Sequence, residues 1–168
     1  MRKEAKTPAD STVEMTEMVL PQHTNAMGTV FGGTVMSWVD ICAASCATRH
    51  SGRQVVTASV DALEFLAPVS LGWIVSLKAS VNYVGSTSCE VGVRVVAENP
   101  ITSEHFHTAS AYLTMVAKDS NGNPTKMPDL QPVTAIDRHR HEEARSRKKA
   151  RLELKRANRE RRKVKDQS

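Results

Sequence analysis

The sequence predicts a two-layer α+β domain, with one apolar helix laid against a five-stranded antiparallel sheet. Three observations predict it. Residues 32–50 are a long run of small and apolar residues opened by glycine and closed by Ser51-Gly52. One stretch before this run and four after it carry strand patterning. The breaks between the later stretches are short and turn-like, which makes neighbouring strands antiparallel. An apolar helix facing such a sheet gives two layers around one core.

Taken in order, residues 1–11 are polar and read as a flexible N-terminus. Val13, Met15, Glu17 and Val19 alternate with Thr12, Glu14, Thr16 and Met18, a first strand that ends at Pro21. The helix follows a loop. Its small residues Ala43, Ala44, Ser45, Cys46 and Ala47 let strands approach closely, so the sheet is expected to curl around it. Residues 55–66 are rich in β-branched residues and end at Pro68. Trp73, Val75, Leu77, Ala79, Val81 and Tyr83 alternate with Ser76, Lys78, Ser80 and Asn82, the clearest period-two signal in the chain. Gly85-Ser86 turns the chain. Cys89, Val91, Val93, Val95 and Ala97 repeat the pattern until Asn99-Pro100. Residues 105–117 form the last strand, closed by the turn-rich segment 119–124. The domain is placed at residues 12–132, followed by a basic tail over 133–168 that reads as helical or disordered.

The totals restrict the function. A chain of 168 residues holds one domain with a real core plus an extension. It has no long apolar run, and no charged start followed by a small-residue cleavage site. The expectation is a cytoplasmic protein with no membrane span. Cys42, Cys46 and Cys89 are odd in number and form no CxxC pair, which points to reduced thiols rather than a disulfide frame or zinc site. The net charge of +5 is uneven: residues 137–168 hold 14 Lys/Arg against 6 Asp/Glu, so the body is mildly acidic.

The chemistry centres on Asp40. It is one carboxylate among Val35, Met36, Trp38, Val39, Ile41, Cys42, Ala43 and Ala44. An ionised carboxylate in such surroundings is costly without a partner, so it is a candidate for chemistry or for a structural pairing. Cys42 and Cys46 lie one helical turn apart, but no histidine stands at a recognisable spacing, and buried filler is the reading favoured over a nucleophile. His105 and His107 share a strand face without a third ligand, so no metal site is expected; His139 and His141 in the tail read the same way. Asp61 and Glu64 read as interface or surface charges.

Several pieces then fall in one order: Thr24-Asn25-Ala26-Met27-Gly28, Phe31-Gly32-Gly33, Met36-Ser37-Trp38-Val39-Asp40, Val56-Thr57-Ala58-Ser59-Val60-Asp61, Phe65-Leu66-Ala67-Pro68-Val69 and Gly85-Ser86-Thr87-Ser88. Pro124 and Pro128 also fit. Over about residues 13–132 the chain resembles the hotdog-fold acyl-CoA thioesterases, the group of small bacterial and cytosolic long-chain acyl-CoA hydrolases. The resemblance implies a hotdog fold and hydrolysis of acyl-CoA to free acid and coenzyme A, with no cofactor beyond the coenzyme A of the substrate. It implies catalytic roles for Asp40, Asn25 and Gly33, with Asn25 of one subunit meeting Asp40 of another in a homodimer that assembles as a trimer of dimers.

The residues support this reading physically. Thioester hydrolysis needs a nucleophile or activated water, stabilisation of the oxyanion, and a groove for the substrate. Asp40 can attack or act as general base. Amides at Gly32 and Gly33 open a helix, where unpaired donors and the positive dipole end gather. Phe31 and Phe65 are candidates to line the acyl groove. Gly85, Ser86, Thr87 and Ser88 offer hydroxyls and amides to the coenzyme A phosphates. Many relatives have arginine where this chain has Ser86, so Arg49 and His50, and more weakly Lys78, are the alternative phosphate contacts.

Two other readings compete. A non-catalytic acyl-CoA-binding module would bind without turnover, but the chain keeps both Asn25 and Asp40. A hotdog hydratase or dehydratase would pair an acid with a histidine, and the helix has none before His50. The tail carries the i,i+4 pair Glu143 and Arg147 but no sustained heptad, so a coiled coil is not expected. It has no aromatic residue for stacking on bases. Nonspecific polyanion binding is its expected role, against a dispensable extension.

Overall fold

The computed structural model describes residues 4–165. Residues 1–3 of the expected flexible N-terminus and 166–168 of the expected tail lie outside the described residues. The strands are β1 (Val13–Met18), β2 (Gln54–Phe65), β3 (Ile74–Val84), β4 (Ser88–Asn99) and β5 (Glu104–Lys118). The helices are α1 (Gly32–Ser51) and α2 (Ala135–Lys165). Five strands form one antiparallel sheet, as expected. Their order is β1-β3-β4-β5-β2, so β2 pairs with β5 at the far edge and not with β3, which follows it in sequence.

The period-two positions fill the core. Val75, Leu77, Ala79 and Val81 of β3, Cys89, Val91, Val93, Val95 and Ala97 of β4, and Ala109, Ala111, Leu113, Met115 and Ala117 of β5 are all buried. They meet Val35, Val39, Cys42, Ala43, Cys46 and Ala47 of α1. Small residues let the helix come down onto the strands: the Cys42 Sγ lies 3.9 Å from the Leu77 carbonyl and 4.0 Å from that of Val13. Gly52, at φ 60°, ends α1 in the left-handed conformation and donates its N–H to the Thr48 carbonyl over 2.8 Å.

Two segments are held to the domain more firmly than expected. The described part of residues 1–11 is tied down rather than loose. The Lys6 N–H donates to the Asp129 carbonyl, and the Gln131 N–H donates to the Lys6 carbonyl. Residues Pro8–Asp10 form a 3-10 turn closed by Thr7 and Asp10. The sequence alone shows no partner for these groups because the partner segment is more than 120 positions away.

The basic tail is a helix, and its first half is docked. Thr134 and Asp137 cap it reciprocally: the Asp137 N–H donates to Thr134 Oγ1, and the Thr134 N–H donates to the Asp137 carboxylate. α2 then crosses the sheet face opposite α1. Ala144 is fully buried there. Arg147 bonds Glu90 at 2.8 Å and lies 3.7 Å above the Tyr112 ring. Lys148 Nζ donates to the Tyr83 hydroxyl over 3.2 Å, and Arg151 pairs with Asp61. Residues 152–161 are exposed. Among the described residues no helix is long and apolar enough to cross a membrane.

Candidate active site

Asp40 sits half-buried in the middle of α1, on the stripe that does not face the core. Thr57 of β2 donates its hydroxyl to Asp40 Oδ1 over 2.6 Å. Thr57 also touches the Met115 sulfur at 3.6 Å, which fixes its rotamer against β5. This is a short, charge-assisted bond that aims the carboxylate. Thr57 lies in the sequence motif with no signal there that marks it as a site residue. A β-branched residue in a β-rich run has an ordinary strand reading, and its partner lies on another element.

The helix start is open to a ligand. Phe31 is the N-cap and supplies no side-chain cap. Its carbonyl accepts the N–H groups of Thr34 and Val35. The N–H groups of Gly32 and Gly33 have no hydrogen-bond partner among the described residues. The phenyl rings flank these glycines: a Cβ on Gly33 would come within 2.5 Å of Phe31 Cε1, and one on Gly32 within 3.4 Å of Phe65 Cζ. Phe31 and Phe65 are themselves exposed. The expected groove residues and oxyanion donors therefore stand together.

Asn25 shapes the loop before the helix. Its Oδ1 accepts the Met27 N–H at 2.9 Å and the Thr29 N–H at 3.3 Å, and its Nδ2 donates to Thr29 Oγ1 at 3.0 Å. Gly28, at φ 73°, makes the turn. The Asn25 side chain is exposed, and no contact joins it to Asp40 within one chain.

The phosphate candidates divide. The turn at Gly85, Ser86, Thr87 and Ser88 is closed by the Gly85 N–H donating to the Ser88 carbonyl over 2.7 Å, and Lys148 Nζ of α2 comes close to Gly85. No sequence signal links Lys148 with this turn, from which it is 60 or more positions away. Arg49 is exposed and donates to the Thr12 carbonyl. Lys78 pairs with Glu14 at 3.0 Å. His50 is corrected as a phosphate contact. It is fully buried, with Nε2 3.0 Å from the Pro128 carbonyl and Nδ1 3.4 Å from Ser11 Oγ. Burial pushes its pKa below the usual value, which leaves a neutral structural imidazole.

The thiols are unsuited to attack. Burial raises the pKa of Cys42 to about 11, and those of Cys46 and Cys89 to about 12. Among the described residues no group of three or more His, Cys, Asp or Glu stands together as a metal cluster.

Known proteins place the fold. Residues 27–104 match the Thioesterase superfamily. An uncharacterised acyl-CoA thioester hydrolase of Bacillus subtilis, YkhA, is 42% identical over 125 residues, covering 74% of this chain and 73% of its own. The solved acyl-CoA hydrolase of Staphylococcus aureus, in complex with butyryl coenzyme A, coenzyme A and coenzyme A disulfide, superposes with a TM-score of 0.87 at 34% identity, over 95% of this chain and 98% of that one. Alanine variants of the same hydrolase, at one asparagine, one aspartate and one threonine, have also been solved. Those three residues are spaced 15 and 17 positions apart, as Asn25, Asp40 and Thr57 are here. An apo-hexameric acyl-CoA thioesterase matches with a TM-score of 0.87 and 37% identity, over 90% of this chain and 97% of that one. The chain belongs to the thioesterase superfamily, with the hotdog fold. Its relatives are acyl-CoA thioester hydrolases.

Proposed function

We propose that this protein hydrolyses acyl-CoA thioesters to a free carboxylic acid and coenzyme A. The observation that carries the proposal is the Asp40 carboxylate aimed by Thr57, in a chain whose helix start presents two unpaired amides. Asp40 attacks the thioester carbon or takes a proton from the water that does. The carbonyl oxygen gathers negative charge, which the amides at Gly32 and Gly33 stabilise. The C–S bond then breaks, and the sulfur leaves as the thiol of coenzyme A. Where water attacked, the thiolate takes the proton that Asp40 removed. Where Asp40 attacked, water supplies that proton, and its hydroxyl cleaves the resulting mixed anhydride to the free acid, restoring Asp40. Exposed Phe31 and Phe65 accept the acyl chain. Lys148 beside the Gly85 turn supplies a positive charge to the phosphates.

The active site is composite. Gly33 and Asp40 are seven residues apart on one helix, an axial separation of about 10 Å. Nucleophile and oxyanion donors must each stand about 3 Å from the reacting group, so one chain does not serve both. A second copy bringing its Asn25 loop and helix start to Asp40 supplies the missing half. The surface favours such pairing. β2 is an edge strand, and Val56, Val60, Met36, Ile41, Phe31 and Phe65 are exposed along it and α1. The hexameric relative supports a trimer of dimers here.

Two lesser points belong to the same reading. The three buried thiols fit a reducing compartment such as the cytoplasm. The exposed second half of α2 is the segment that would bind polyanions nonspecifically. The experiment for the main proposal is thiol release from acyl-CoAs of graded chain length, followed with a thiol-reactive dye. Turnover on one length class is expected. Binding without turnover on every length would replace this reading with the binding-module one.

A further inference from the structure

The strand that carries Thr57 lies at the edge of the sheet and is bulged. β2 is an edge strand paired only with β5. Its register shifts twice, between Thr57 and Ser59 and between Val60 and Ala62, so Ala58 and Asp61 have no partner across the ladder. Bulges bend a strand and re-aim its side chains, and they leave local backbone hydrogen bonds unmade. Thr57 stands at the edge of the first bulge, and its hydroxyl must stay on Asp40.

Asp61 occupies the second bulge. One of its carboxylate oxygens accepts the Ser59 hydroxyl at 3.2 Å, which links the two bulges. The other is paired with Arg151 of α2. Both side chains are largely withdrawn from water, at 14% exposure for Asp61 and 17% for Arg151. One turn earlier on α2, Arg147 is pinned to Glu90 of β4 and to the Tyr112 ring of β5. The helix thus has an anchor on the central strands and reaches from it to the edge strand. Residues four apart share one helix face, so both guanidiniums point to the sheet.

We propose that the Arg151–Asp61 pair positions the catalytic strand, with α2 acting as a brace for the β2 bulges. Arg151 acts through Asp61, Ser59 and the bulged backbone on Thr57, and through Thr57 on Asp40. The inference rests on the reading of Asp40 as the catalytic group. It gives the first half of the basic tail a role in turnover rather than in binding polyanions.

The test uses the full chain. Arg151→Met removes the charge and keeps most of the stem, and Arg151→Lys keeps a charge. Each variant is isolated as the folded oligomer by size exclusion, so rates refer to folded protein only. Arg151→Met should lower kcat about tenfold with KM little changed, as small displacements of a catalytic group are expensive. Arg151→Lys should recover most of the loss. Hydrogen exchange should quicken in residues 54–65 of Arg151→Met and stay unchanged in β3 and β4. A purely structural role would lower the yield or melting temperature while leaving kcat per folded oligomer and exchange in β2 as in wild type, and that result overturns the proposal. If the wild type itself hydrolyses no acyl-CoA, the catalytic reading has failed. The exchange data then decide separately whether α2 braces β2.

Discussion

Thr57→Val isolates the hydroxyl that aims Asp40. Valine keeps the branched shape, so the place of β2 on β5 is preserved and a methyl replaces the hydroxyl against the Met115 sulfur. The bond lost spans 2.6 Å and has a carboxylate as acceptor. Hydrogen bonds to charged groups contribute about 1.5–3 kcal/mol. If that interaction holds the carboxylate in its reactive direction, the loss converts to about a 10- to 100-fold fall in kcat/KM, at about 1.4 kcal/mol per factor of ten. The assay is thiol release at saturating and limiting acyl-CoA, with melting temperature measured in parallel. Thr57 is exposed in the single chain, so stability should change by less than about 1 kcal/mol. A folded Thr57→Val protein with kcat/KM within twofold of wild type would refute the role given to this bond.

Three further outcomes follow from the packing. His50 is held neutral by burial, its pKa below the ordinary 6.5, so the unfolded chain binds a proton that the native chain does not. Stability is therefore full above about pH 6.5 and falls as the pH drops below it. Melting temperatures across pH 5–8 should show this slope in wild type, and His50→Gln should flatten it. Arg147→Met leaves Glu90, 3% exposed, without its cation, which costs about 3 kcal/mol and lowers the melting temperature by several degrees; an unchanged denaturant midpoint would contradict this. Iodoacetamide under native conditions should leave activity intact, because all three cysteines are buried with raised pKa values.

The sheet and α1 were legible because their signals are local. Alternation in β3 and β4 marks one buried face, and the small-residue run of α1 marks a helix that strands can approach. Asp40 was legible as a charge in the wrong company. The remainder depends on contacts between distant positions. Thr57 meets Asp40 across 17 positions, Arg147 meets Glu90 across 57, and Arg151 meets Asp61 across 90. No pattern within either segment announces those pairings, so a docked helix read as a charged tail. His50 misled for the same reason. At a helix end it looks available, and only the approach of Ser11 and Pro128 encloses it.

The most direct test of the central claim compares binding and turnover in Asp40→Asn, which keeps the side chain's size and removes its charge. Binding of the acyl-CoA that the wild type hydrolyses fastest, by calorimetry, and thiol release are measured on the same preparation of folded oligomer. The account predicts near-normal affinity with turnover reduced by at least about 1,000-fold, the scale expected for losing a nucleophile or general base. Turnover within about tenfold of wild type, with binding intact, would contradict the assignment of Asp40 as the catalytic group.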